Sequence, residues 1–168
     1  PLPRHTGIRI RPIDGRAGVA QLPSGCADAV IVDAFAGASV PAELATVEFL
    51  AEVDRLLREG GLVVMNLTDS SPFGWARRCL AGFVAGFAQV SVSAEVPVWK
   101  GRRFGNLVVA AGAELPLTAI ERRVARAAFP YRQLTGRELG RWLGGAQPFA
   151  GEDAQPSPSP AWSRGWFS

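Results

Sequence analysis

Polar and apolar positions alternate at the start of the chain. Ile8 and Ile10 interleave with Arg9 and Arg11 before Pro12-Ile13-Asp14-Gly15, which predicts a strand over residues 7–13 and a tight loop after it. A short helix is predicted over 16–22. Residues 27–34 contain the β-branched run Val30-Ile31-Val32, expected of a parallel strand covered on both faces, and end at Asp33. Over 46–59 Val47, Leu50, Val53 and Leu57 share one stripe, with Glu48 and Glu52 early and Arg55 and Arg58 late. With Gly60-Gly61 behind it, this predicts an amphipathic helix that stops there. Residues 62–67 predict a second buried strand, and Ser71-Pro72 caps and opens a helix reaching about Phe87.

Residues 89–92, 95–99 and 104–111 read as strands, the last two joined at Lys100-Gly101-Arg102-Arg103 into a closing antiparallel hairpin. Two T-x-x-E capping boxes, at Thr118 and Thr135, predict short helices reaching Ala128 and Leu143. No element is predicted beyond Gly144. There the Pro/Ser-alternating 155–160 reads as a stiff extended linker, and Trp162, Trp166 and Phe167 need a groove to sit in. The chain thus divides into a body, 1–145, and a tail, 146–168.

Strands alternating with helices imply an α/β fold with an open, mostly parallel sheet, and such sheets bind ligands outside the carboxyl ends of their strands. The 168 residues are 48% apolar, enough for one core. The charge is 18 basic minus 15 acidic, or +3, and Lys100 is the one lysine. Arg77-Arg78, Arg102-Arg103 and Arg122-Arg123 are dispersed pairs rather than a continuous stripe, so no nucleic-acid partner is expected. The longest run of only apolar residues and glycine, 79–88, is half the roughly 20 residues a membrane helix needs. Cys26 and Cys79 have no neighbouring ligand and His5 stands alone, so no metal is expected. The start, Pro1-Leu2-Pro3-Arg4, has no methionine and no signal-like apolar run; a cytoplasmic location and a missing true start are expected.

Three successive strand ends carry polar groups: Asp14, then Asp33, then Asn66 with Thr68 and Asp69. Any one of them is as readily the cap of the next helix, but three in succession favour convergence on one crevice. The segment 34–41 after Asp33 is small in composition, as expected of a loop that folds over a substrate.

Several blocks, in order and spacing, resemble the spermidine synthase family. They are Asp14-Gly15-Arg16; Asp28-Ala29-Val30-Ile31-Val32-Asp33-Ala34-Phe35; Pro41-Ala42-Glu43-Leu44 with Thr46-Val47-Glu48-Phe49-Leu50; Gly60-Gly61-Leu62-Val63-Val64-Met65-Asn66; and Gly105-Asn106-Leu107-Val108-Val109-Ala110. The resemblance runs from about Ile8 to about Pro160 and is nearest to divergent bacterial members whose loop begins Asp-Ala-Phe. It implies a Rossmann-like, class I methyltransferase-type sheet, decarboxylated S-adenosylmethionine as donor, and transfer of its aminopropyl group to a small-molecule amine, often by a homodimer. By resemblance Asp14 and the Gly15 backbone hold the adenine, and Asp33 contacts the donor and takes the proton from the attacking amine. Asn66 and Trp99 match substrate-contacting positions.

The departures bear on activity. Relatives carry a second Asp where this chain has Ala36, and a Tyr where it has Trp99, whose indole cannot accept a hydrogen bond. The family's first strand, glycine-rich loop, ribose-binding acid and N-terminal β-domain all precede this chain. The resemblance therefore implies a C-terminal portion truncated on its N-terminal side, with unpaired sheet edges, unstable unless completed. Two other functions fit the same residues: an S-adenosylmethionine-dependent methyltransferase, and a non-catalytic domain that binds a nucleoside or a protein partner.

Overall fold

A computed structural model describes residues 7–160. In chain order the elements are α1 (Gly15–Gln21), β1 (Ala27–Val32), α2 (Val47–Leu56), β2 (Leu57–Asp69), α3 (Gly74–Gly86), β3 (Gln89–Glu95), α4 (Val96–Trp99), β4 (Gly105–Gly112), α5 (Leu117–Ala125), β5 (Tyr131–Thr135) and α6 (Gly136–Leu143). The five strands form one sheet in the order β1-β2-β4-β3-β5. β1 and β2 pair parallel, whereas β4 is antiparallel to both β2 and β3, and β5 is antiparallel to β3. Three strands therefore run one way, and the carboxyl ends of β1, β2 and β3 lie along the same edge.

Register explains the core. Val32, Met65, Val109 and Val92 stand in one row across four strands, and all four are buried. Phe49, Leu50 and Val53 of α2, and Cys79, Leu80 and Phe83 of α3, close over this face together with Leu139 and Leu143 of α6. The adjacent row, Asn66, Val108 and Ser93, faces the other way. That second face has α5 beside it and remains open at β1, where Ile31 is 75% exposed.

Several expectations are corrected. Residues 7–13 form no strand, and Ile10 is 78% exposed; β1 has no strand on its outer side among the described residues, and a strand exists only through a partner's ladder. The α2 helix stops at Leu56, and Gly60, at φ 74°, kinks the start of β2 instead of ending the helix. Ser71 does not cap α3. The Ser71–Pro72 bond is cis, Phe73 takes the left-handed conformation, and Asp69 supplies the capping oxygen.

Residues 96–99 form a turn of helix rather than a strand, so the hairpin partners are β3 and β4. Neither T-x-x-E box forms, since Pro116, not Thr118, is the N-cap of α5 and the Thr135 side chain makes no cap bond. β5 was not anticipated. Residues 155–160 form no helix or strand and pack against the body. Trp162, Trp166 and Phe167 lie outside the described residues, as does His5.

Candidate active site at the carboxyl ends of the strands

Asp33 follows β1 and Asn66 lies near the end of β2. Parallel pairing sets Val32 beside Met65, so the next residue on each strand meets across the ladder. The Asn66 Nδ2 donates to Asp33 Oδ1 at 3.1 Å. This fixes the amide's orientation, because the reverse would set Oδ1 against a carboxylate. It leaves Asn66 Oδ1 buried with no partner, and a buried amide oxygen without a donor costs about 1–3 kcal/mol. The exposed Asp33 carboxylate and this unmatched acceptor together suit a ligand that brings N–H groups, above all a cationic amine.

The other two acids that the sequence placed at strand ends have structural partners, and no strand precedes Asp14. Asp14 caps α1, its Oδ1 accepting from the Ala17 N–H at 2.9 Å, and Gly15 is the exposed first residue of that helix. No hydrogen bond or ion pair among the described residues joins either to Asp33. Asp69, buried, accepts from the Ser70 N–H at 2.7 Å and the Ala76 N–H at 2.8 Å. Burial pushes its carboxyl above the ordinary value, against the downward pull of those two donors.

Trp99 is half-buried in an aromatic cluster with Phe73 and Trp142, edge-on to the latter with ring centroids 5.2 Å apart. Its indole N–H donates to the Arg132 carbonyl at 2.9 Å, so that group is already engaged. A cavity of about 370 Å³ is lined by Trp99, Arg132, Leu134, Glu138, Arg141 and Trp142; Asp33 is not among its walls. The structure thus joins Asp33 to Asn66 and sets Trp99 in a separate cluster further along the same edge. Arg103, nearby in sequence, is ion-paired with Glu95.

The loop after Asp33 is tighter than its small residues suggest. Ala36 and Ser39 exchange backbone hydrogen bonds at 2.9 and 3.3 Å around Gly37, whose φ of 63° favours glycine. Val40 is then fully buried. The residue that holds this loop, Ser157, was missed: a serine within a Pro/Ser alternation carries no sequence signal for burial. No group of three or more His, Cys, Asp or Glu side chains suited to a metal occurs among the described residues.

No protein-family model matches the chain, and no curated protein does. A solved structure does: the probable spermidine synthase from Corynebacterium glutamicum ATCC 13032, at 31% identity and a TM-score of 0.79 over 89% of this chain. The chain is similar to a spermidine synthase. Its mixed five-stranded sheet is the methyltransferase-like α/β fold. It spans 56% of that neighbour's length. No helix among the described residues is long and apolar enough to cross a membrane.

Proposed function

We propose that the chain belongs to the spermidine synthase family and forms the acceptor side of an aminopropyl transfer from decarboxylated S-adenosylmethionine. The observation that carries this reading is the pair at the strand ends, Asp33 with its carboxylate exposed and Asn66 with a buried, unpartnered oxygen. The likeness to a probable spermidine synthase supports it.

An amine that is protonated at neutral pH cannot attack. In this reading Asp33 attracts the ammonium and accepts its proton, while Asn66 Oδ1 receives a remaining N–H and aims the lone pair. The nitrogen then bonds to the carbon beside the sulfonium, the carbon–sulfur bond breaks, and methylthioadenosine leaves as a neutral thioether. Asp14 and Gly15, if they hold the adenine, do so with the carboxylate oxygen and backbone groups not used in capping α1. A proton-accepting carboxylate is typically worth about 100-fold to 10,000-fold.

One observation favours a second reading. Residues 34–41 contain no carboxylate, Ala36 standing in the turn where a second acid would draw in a diamine. A methyltransferase using intact S-adenosylmethionine needs no such contact. Product mass decides: incubation with both donors and a panel of amines is expected to add an aminopropyl group, with Asp33→Asn slower by about 100-fold or more. A methyl adduct would establish the second reading, and equal rates for Asp33→Asn would overturn the role given to Asp33.

A further inference from the structure

The segment 155–160, read from sequence as a linker, crosses the carboxyl edge of the sheet. Trp75 Nε1 donates to the Gln155 carbonyl at 2.6 Å, anchoring its start on α3. Ser157 is 3% exposed and bonds through both its backbone N–H and its hydroxyl. Its Oγ accepts from the Val40 N–H at 2.8 Å, its N–H donates to the Val40 carbonyl at 3.0 Å, and its hydroxyl lies 3.0 Å from Thr68 Oγ1 at the end of β2. Further along, Ser159 Oγ meets Ser39 Oγ at 2.5 Å. The far end of the loop that begins at Asp33 is therefore tied to β2, the strand that carries Asn66, through one side chain.

We propose that Ser157 is a positioning residue for the Asp33–Asn66 pair. Asp33 is exposed and its carboxylate accepts from Asn66 alone among the described residues, so its placement depends on the backbone that follows it. That backbone turns at Gly37 and re-enters the core at Val40, and Ser157 fixes the point of re-entry relative to Thr68. The Ser157 hydroxyl satisfies the Val40 N–H and Thr68 together. An alanine there would leave a buried N–H open, and the whole loop would loosen rather than one bond. Small errors of placement are costly in catalysis, since a shift of about 1 Å can cost about 100-fold. This role rests on the reading of Asp33 as the proton acceptor.

The test uses the full 168-residue chain with Ser157→Ala, Ser157→Thr and Ser159→Ala. Amide exchange is followed at Ala36 and Ser39, which bond to one another and not to Ser157. Losing a buried hydrogen bond worth one to two kcal/mol speeds opening roughly fivefold to thirtyfold. That increase is expected in Ser157→Ala at both amides, with a smaller one in Ser159→Ala, whose side chain is exposed, and recovery in Ser157→Thr.

Aminopropyl transfer by Ser157→Ala is expected to fall about tenfold at saturating substrates, with donor affinity within twofold of the parent. A drop in melting temperature with unchanged turnover per folded molecule would reduce Ser157 to a packing residue and overturn the proposal. Unchanged exchange at Ala36 and Ser39 would overturn it as well. If the parent chain transfers nothing, the function proposed above fails, while the exchange result still decides whether Ser157 holds the loop. Should Ser157→Ala not fold, Ser159→Ala and Thr68→Val must still show faster exchange at those amides.

Discussion

Replacing Asn66 by Asp turns the proposed site against itself in a calculable way. The Asn66 Nδ2 donates to Asp33 Oδ1 at 3.1 Å, so a carboxylate at position 66 sets two like charges side by side where a donor and an acceptor now meet. Two unit charges about 4 Å apart repel by about 1 kcal/mol in bulk water and about 4 kcal/mol at an effective dielectric of 20. Asp33 is exposed, so the lower half of that range applies, about 1–2 kcal/mol.

The repulsion raises the pair's folded-state titration above that of free carboxylates, so the stability in question is present at low pH and is lost as pH rises through the raised value. Asn66→Asp should match the parent's melting temperature below about pH 4, where free carboxylates are largely protonated, and fall below it by about 2–8 °C at pH 7. Thermal denaturation from pH 3 to pH 8 at low salt measures this. A deficit that is the same at every pH would refute the reasoning, because it would mean that packing at position 66, not charge beside Asp33, sets the cost.

Other expectations follow from single contacts. A Cβ at Gly105 would lie 2.4 Å from Val98 Cγ2, so Gly105→Ala overpacks the contact between β4 and α4 and should cost about 1–3 kcal/mol, read as a lowered midpoint in urea. Burial pushes the Cys79 thiol up to about 12, whereas Cys26 is exposed; iodoacetamide at pH 8 should label Cys26 alone in the native chain and both thiols after denaturation. The carboxyl of Asp69 is raised by burial, so its contribution to stability is complete below its ordinary value of 3.8 and declines as pH climbs past it. Asp69→Asn should therefore lose less stability than the parent between pH 4 and pH 6 in paired thermal melts, despite a constant penalty for the weakened cap on α3.

Legibility in the sequence followed how local the cause was. α2 was readable because its stripe of Leu50 and Val53 and its early Glu48 sit within a few residues of one another; the Thr46 cap that the structure adds lies just before them. β1 was readable from its β-branched run, though it is not covered on both faces as that run suggests, and β2 in part from the apolar 62–67; the Asp33–Asn66 pair followed from two adjacent strand ends. The predicted strand at 7–13 failed because alternation states only which residues suit a strand, not whether a neighbour is there to pair with. β5 escaped because its one buried residue, Leu134, gives no period. Asp14 shows the limit of strand-end logic: no strand precedes it, and one oxygen of its carboxylate caps α1. Ser157 was beyond reach, since its partners Val40 and Thr68 lie 117 and 89 positions away.

Ligands of this chain are proposed to bind where β1 and β2 end. The most direct measurement is a titration of the isotopically labelled chain with decarboxylated S-adenosylmethionine, following the backbone amides. Saturable shifts are expected at Asp33, Ala34, Ala36, Ser39 and Asn66, all reduced in Asp33→Asn. Shifts confined to the far end of the sheet, around Ile120 of α5 and Gln133 of β5, or no saturable shift at any concentration, would refute that placement.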